Sequence, residues 1–446
     1  VVEKSTRAMF LCLSRVNRLN KNCPLYLKSM LFKAYVMPVM SYACEALPFT
    51  KTKIDALNKI IIRYCRWALN VPKNSNRLHT LRECGLRPFE YVYRAAKANY
   101  YLLLQSRPLN HLTTYALLHI MNNKRSALYK KWLCPVIEDL RKWDLYFNNG
   151  LPCNSFVYKK NVFSARIRSN CDNEFNDIIH NTSTQEKQIN MHEKLFDVDD
   201  NGYISISPES MQIRGHPHNL IHSPNTIIYP LMILNNSVNV RKNAQYGNVC
   251  ISPRLCRALS LFRLGIAPLN RNLELKKNIS ARTCSFCMKN DFGLLIEDEY
   301  HICFECPLFS SLRNKLFSTL VSCEFQFNNT LKHKNLHKYI NPLLLLADLL
   351  CIKESCHVRP ISRFLCDCLS LRSLYYTYEC NDTSAGKYWP IYNSDLKLKA
   401  LLYDNGTRIN FSEDLLFRFF SLSLPVNKPL VDFLEFTELI IKKIVK

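Results

Sequence analysis

Glycine is scarce in this chain, with 9 residues in 446. That scarcity excludes glycine-rich phosphate loops, and neither G-x-x-x-x-G-K nor G-x-G-x-x-G occurs. Long apolar runs are also missing. The longest, Leu343–Leu346 continued through Asp348 to Ile352, falls well short of the roughly 20 residues that a membrane-spanning helix needs. No membrane partner is therefore expected. The opening residues lack the charged-then-apolar pattern of a secretory signal. Acidic residues are in deficit, 36 Asp and Glu against 60 Lys and Arg.

What is present is an ordinary apolar fraction of 48%, enough for two or three packed domains, with a formal charge of +24. A surface this basic attracts phosphate polyanions through counterion release, so RNA or DNA is the expected partner; charge that serves solubility, or an acidic lipid surface, is the alternative. The 20 cysteines are spread along the chain. They read as buried thiols of a reducing, intracellular protein, nuclear and cytoplasmic, rather than as a secreted disulfide framework.

Little glycine with much leucine and aromatic residue predicts a mainly α protein. Residues 4–19 fit an amphipathic helix, with Met9, Leu13 and Val16 on one face and Lys4, Arg7, Arg15 and Arg18 on another. Pro24 suits the first turn of the next helix, and Pro38 should interrupt the apolar stretch from Leu25 to Ala46. Residues 52–69 repeat the amphipathic pattern: Ile54, Leu57, Ile61, Tyr64 and Ala68 face inward, and Lys59, Arg63 and Arg66 outward. One basic face is usually just solvated, but two on consecutive helices suggest a phosphate track. Further helices are expected over 89–106, 126–144, 253–265, 307–322 and 361–378, with Gly85 at a helix end. Between 150 and 250, Asn, Ser, His and Pro rise and periodicity fades. This predicts 1–150 as a helical domain, 151–250 as an irregular, partly disordered linker with short strands, 251–325 as a metal module and 326–446 as a helical region.

The sharpest local signal is Cys284-x2-Cys287-x13-His301-x4-Cys306. Two cysteines on one tight turn and a His/Cys pair from a second segment complete the closed four-ligand set of a structural Zn²⁺ site. In a reducing compartment such spacing favours metal over disulfide. Buried thiols remain the alternative, and Cys303 lies close enough to replace His301 or Cys306. Two other candidates are weak. Asp197, Asp199, Asn201, Gly202 and Ile204 fit part of a calcium loop, but Pro208 stands where the bidentate Glu belongs. His216, His218 and His222 sit among prolines and read as solvated loop residues. No nucleophile set can be assembled.

The run LCRALSLFRLGIAPLN, then RTCSFCMKN, then IEDEYHICFECPLFSSLRNKL, resembles the C-terminal Cys/His region of non-LTR retrotransposon reverse transcriptases. The matching positions are Arg257, Leu259, Ser260, Phe262, Arg263, Gly265 and Ile266. Glu297-Asp298-Glu299, His301, Cys306-Pro307 and Arg313 follow, with a longer interval between Cys287 and His301 than the family shows. Near the N-terminus, Val36, Pro38, Val39, Tyr42 and Glu45, then Val71-Pro72, Glu83, Gly85, Leu86 and Pro88, resemble the thumb-like helical segment that follows the polymerase palm. Ala43 stands where that family commonly has glycine, and Leu47 where it has tryptophan.

The resemblance implies nucleic-acid gripping beside a polymerase, with Lys59, Arg63, Arg66, Arg282 and Arg313 as phosphate contacts and zinc holding the module. Polymerisation needs carboxylates that hold two metal ions. The one adjacent Asp pair, Asp199-Asp200, lacks a flanking apolar strand. The palm is thus expected to lie before residue 1 or to have been lost, so that the chain alone is no enzyme. A domesticated, zinc-dependent interaction protein is the other reading.

Overall fold

A computed structural model describes residues 1–19, 23–108, 110–145, 160–185, 196–198, 204–206, 249, 251–270, 282–290, 297–323, 346, 349–350, 352, 354–382 and 384–403. The fold is mainly α, as the sequence predicts. It divides into two units, Val1–Thr182 with Val240–Cys250, and Ser183–Asn239 with Ile251–Lys446. Among the described residues no helix is long and apolar enough to cross a membrane.

In the first unit, α1 (Val2–Leu19) turns Met9, Cys12 and Val16 inward against α2 (Leu25–Tyr35), α3 (Met37–Ser41) and α4 (Lys51–Leu69). Pro24 is the N-cap of α2, and Pro38 sits in the first turn of α3, so the expected break becomes two helices. Helix α4 begins at Thr50, whose hydroxyl accepts from the Lys53 N–H, and ends at Asn70 in the left-handed region. It buries Leu57, Ile61, Tyr64 and Ala68 of the seam read from the sequence and leaves Ile54 half-buried. Asn76 caps α5 (Arg77–Glu83), and Gly85 at φ 60 follows it. Next come α6 (Phe89–Gln105) and α7 (Leu112–Asn122).

Two stretches differ from expectation. The helix expected over 126–144 is a π turn, Tyr129–Leu133, followed by α8 (Cys134–Lys142). Pro135, which has no N–H to donate, falls in the first turn of α8. The texture of residues 151–250 predicts an irregular segment, yet Lys160–Gln185 forms a long helix, α9. Its Asn and Ser content conceals a seam of Ile167, Cys171 and Phe175, four residues apart and buried. Partners from α6 and its approach complete it: Arg87 pairs with Asp172 at 2.7 Å, and Arg94 bridges Asp139 at 2.5 Å and Glu174 at 2.6 Å. Burial alone would raise the Glu174 pKa, but donors from Arg94, Trp143 and Lys142 hold it down at about 2.

The second unit contains a short antiparallel pair, β1 (Phe196–Val198) and β2 (Ile204–Ile206), registered Phe196 to Ile206. Asp197 lies in β1. Asp199–Gly202 of the calcium-loop candidate, and His216, His218 and His222, lie outside the described residues. The rest is built on α13 (Ser355–Tyr378), which α10 (Pro253–Arg263) and α12 (Ser310–Ser322) flank. Between them lie the short α11 (Ser285–Lys289) and a π turn, His301–Glu305. A 3-10 segment, Asn393–Lys399, also packs on α13. Helix α13 begins six residues before the expected 361 and carries Pro360 inside it. Burial of His357, Val358 and Ile361 around that turn offsets the lost backbone hydrogen bond. Helices α10 and α12 both pack on α13.

Candidate metal centre

The structure brings Cys284, Cys287, His301 and Cys306 together. One ligand atom from each lies within 4.8 Å of every other, and all four residues are buried. Local structure explains the convergence. Cys284 is the N-cap of α11 and Cys287 lies in its first turn, so the x2 spacing returns both sulfurs to one side. Residues five apart on an α-helix would point roughly 140° apart. The π turn at His301–Glu305, closed by the Cys306 N–H donating to the His301 carbonyl at 2.7 Å, returns Cys306 to the histidine.

The spacing suits a tetrahedral ion. Cys306 Sγ is 3.8 Å from both Cys284 Sγ and Cys287 Sγ, and Cys287 Sγ is 3.4 Å from His301 Nε2. Sulfurs each about 2.3 Å from one zinc at tetrahedral angles stand roughly 3.8 Å apart. Hydrogen bonds from Cys287 and Cys306 lower the Cys284 pKa, so this sulfur carries charge most readily, as a ligand must. Cys303 is absent from the group. It is buried, and burial raises its pKa well above the ordinary thiol range. The four residues can therefore hold a metal ion.

A polar scaffold fixes both ligand segments. Glu297 and Arg372 are buried to 2% and 4% side-chain exposure. Arg372 Nε donates to Glu297 Oε1 at 3.0 Å and Nη2 to Oε2 at 2.7 Å. The Asn270 N–H donates to the same Oε2 at 2.7 Å, while its side-chain amide reaches the Thr283 carbonyl at 2.9 Å, beside Cys284. Asp298 Oδ1 accepts from the His301 N–H at 2.7 Å. Two of the acidic triplet picked out by its likeness to a family, Glu297 and Asp298, thus have a structural task. Sequence reasoning misses Asn270 and Arg372 because no local pattern marks residues that meet only in space.

The proposed phosphate contacts fare unequally. Lys59 and Arg63 line the outer side of α4, and Arg63 lies 5.3 Å over the Phe10 ring. Arg66 is half-buried and donates to Ser75 Oγ and the Ser75 carbonyl, at 3.1 and 2.8 Å. Arg282 is half-buried, its carbonyl accepting from the Glu297 N–H at 3.0 Å. Arg313 corrects the expectation: it is fully buried and donates to the carbonyls of Phe304 and Cys306. It holds the turn that presents Cys306 and cannot reach a phosphate. Arg263, also buried, donates to the Leu350 carbonyl.

Glu354, Cys356 and His357 form a second group of potential ligands. Glu354 and Cys356 are exposed at the start of α13, where the helix dipole disfavours a cation. No protein-family model, curated protein or solved structure matches the chain.

Proposed function

We propose that this chain is the nucleic-acid-binding C-terminal part of a non-LTR retrotransposon reverse transcriptase, with its catalytic palm outside these residues. The observation that carries the reading is the buried Cys284/Cys287/His301/Cys306 group, set within the segment whose motifs resemble that family's Cys/His region. The ion these residues would hold is Zn²⁺. Four protein ligands leave no open position for a reacting water, so the metal would order the fold rather than perform chemistry. Glu297, Asp298 and Arg313 would hold the ligand segments in place.

Binding would come from the basic helical unit, through Lys59 and Arg63 on the outer side of α4. Arg66, tied to Ser75, would position the chain after α4. Partners would be RNA or DNA, bound chiefly through phosphate.

Affinity of the purified chain for RNA and DNA oligonucleotides should fall steeply with salt. Lys59→Ala with Arg63→Ala should flatten the plot of log affinity against log salt by about 1.4–1.8, at about 0.7–0.9 for each phosphate no longer neutralised. Primer extension on an RNA template should yield no product. A folded double variant with an unchanged slope would remove the grip from α4, and template-directed synthesis by the chain alone would sink the division of labour.

A further inference from the structure

Three exposed apolar side chains lie on or beside α1 in surroundings that a merely solvated basic face does not need. Phe10 and Leu11 are 48% and 62% exposed, and Tyr35, on α2, is 50% exposed. Both rings carry an arginine. The Arg63 guanidinium sits 5.3 Å from the Phe10 centroid, and that of Arg15 sits 5.5 Å from the Tyr35 centroid. Helical geometry places the two pairs on opposite flanks of α1. Phe10 and Arg15 are roughly 140° apart around its axis and about 7.5 Å apart along it. Arg7 and Leu11 occupy the outer surface between the flanks. The surrounding charge is one-sided, twelve Lys and Arg against three Asp and Glu over residues 1–69. One of those three, Glu3, is occupied by Arg7 at 2.5 Å.

Single exposed aromatics are ordinary. Two rings, each with a guanidinium stacked on it and half its surface in water, on one strongly basic face, are a combination that fits unpaired bases. An aromatic ring and an arginine plane both stack on any base, while neighbouring cations meet the phosphates. Duplex DNA or RNA hides its base faces and offers nothing for the rings to hold.

We infer that the α1–α2–α4 face binds single-stranded nucleic acid, with bases stacked at the Phe10/Arg63 and Tyr35/Arg15 pairs. The inference rests on the nucleic-acid reading above and adds to it the kind of strand. A second copy of the chain is the rival occupant of the exposed apolar surface. The charge decides against it, because two such faces would repel.

The test measures binding of the full chain by fluorescence anisotropy to labelled oligo-dT, oligo-rU, an abasic strand of equal length, and a duplex. Phe10→Ala with Tyr35→Ala should weaken binding of the base-bearing strands roughly fivefold to a hundredfold per ring. It should leave the abasic strand and the duplex within about twofold, and the salt slope unchanged, since every phosphate-facing cation stays in place. Phe10→Trp with Tyr35→Trp should retain single-strand affinity, which separates stacking from damage to the fold. Equal effects on base-bearing and abasic strands, or no effect on either while duplex binding and its salt dependence persist, overturns the inference and leaves the broader reading standing. A chain that binds none of the four probes removes both. A dimer in sedimentation that the alanine pair dissolves assigns the face to a protein contact and also overturns the inference.

Discussion

Replacing Glu297 with Gln changes one oxygen to an amide and almost nothing in volume, yet it should be among the most damaging substitutions in the second unit. Arg372 lies at 4% exposure with two donors on the Glu297 carboxylate and a third interaction, at 2.8 Å, with Asn270 Oδ1. In Glu297→Gln the guanidinium keeps its charge and loses its counter-ion in a buried site. Breaking a buried pair this way costs about 3–5 kcal/mol. At about 2–4 °C per kcal/mol for a unit of this size, the melting transition should fall by roughly 6–20 °C. Asn270 binds both Glu297 and the Thr283 carbonyl, so the Cys284 segment should loosen as well. Zinc affinity should then drop by about 10–100-fold, the usual effect of losing an outer hydrogen-bonding partner. Calorimetry with a chromophoric chelator reads both quantities. Glu297→Leu with Arg372→Leu removes both charges and should recover most of the stability, because the isolated charge, not the missing pair, is the main cost. A Glu297→Gln melt within a degree of the parent, or a double replacement worse than either single one, would refute a buried charge as the main cost.

The purified chain should carry about one zinc; Cys287→Ser should release it and expose residues 280–310 to protease, whereas Cys303→Ser should retain the metal, and the reverse pattern would reassign the ligand. Ala43 sits at φ 56, which costs a residue with a Cβ about 1–2 kcal/mol, so Ala43→Gly should stabilise the first unit by about 0.5–1 kcal/mol in denaturant melts despite glycine's freer unfolded chain. Burial lowers the His79 pKa from 6.5 to about 4, so the fold holds the neutral ring while the unfolded chain takes up a proton first. That contribution, on the order of 3 kcal/mol, is complete above pH 6.5 and is lost as pH falls towards 4. Urea melts across this window should show the slope in the parent and lose it in His79→Leu.

The amino-acid sequence by itself determined the mainly α class, the seam of α4, the helix breaks at Pro24 and Pro38, and the four candidate ligands. Each of these is a local matter: a 3.6-residue period, a missing N–H, or two short spacings with the right donors. It also marked Ala43 as standing where a family has glycine, and the positive φ gives the physical reason that glycine suits that place. What only the tertiary structure decided depends on partners distant along the chain. Helix α9 is polar by composition and stands because Arg87 and Arg94 meet its carboxylates while Ile167, Cys171 and Phe175 are buried. Helix α13 is buried on most sides, so it shows no single apolar face, and its start before Pro360 could not be read from periodicity. Arg313 looked like a phosphate contact because a charge in a sequence carries no record of its burial. Within the fold its guanidinium lies inside, holding two carbonyls of the turn that carries Cys306. The Glu297–Arg372 pair joins residues 75 apart, and no spacing rule reaches that far. The sequence supplied the ligands, and long-range packing set the distances between them.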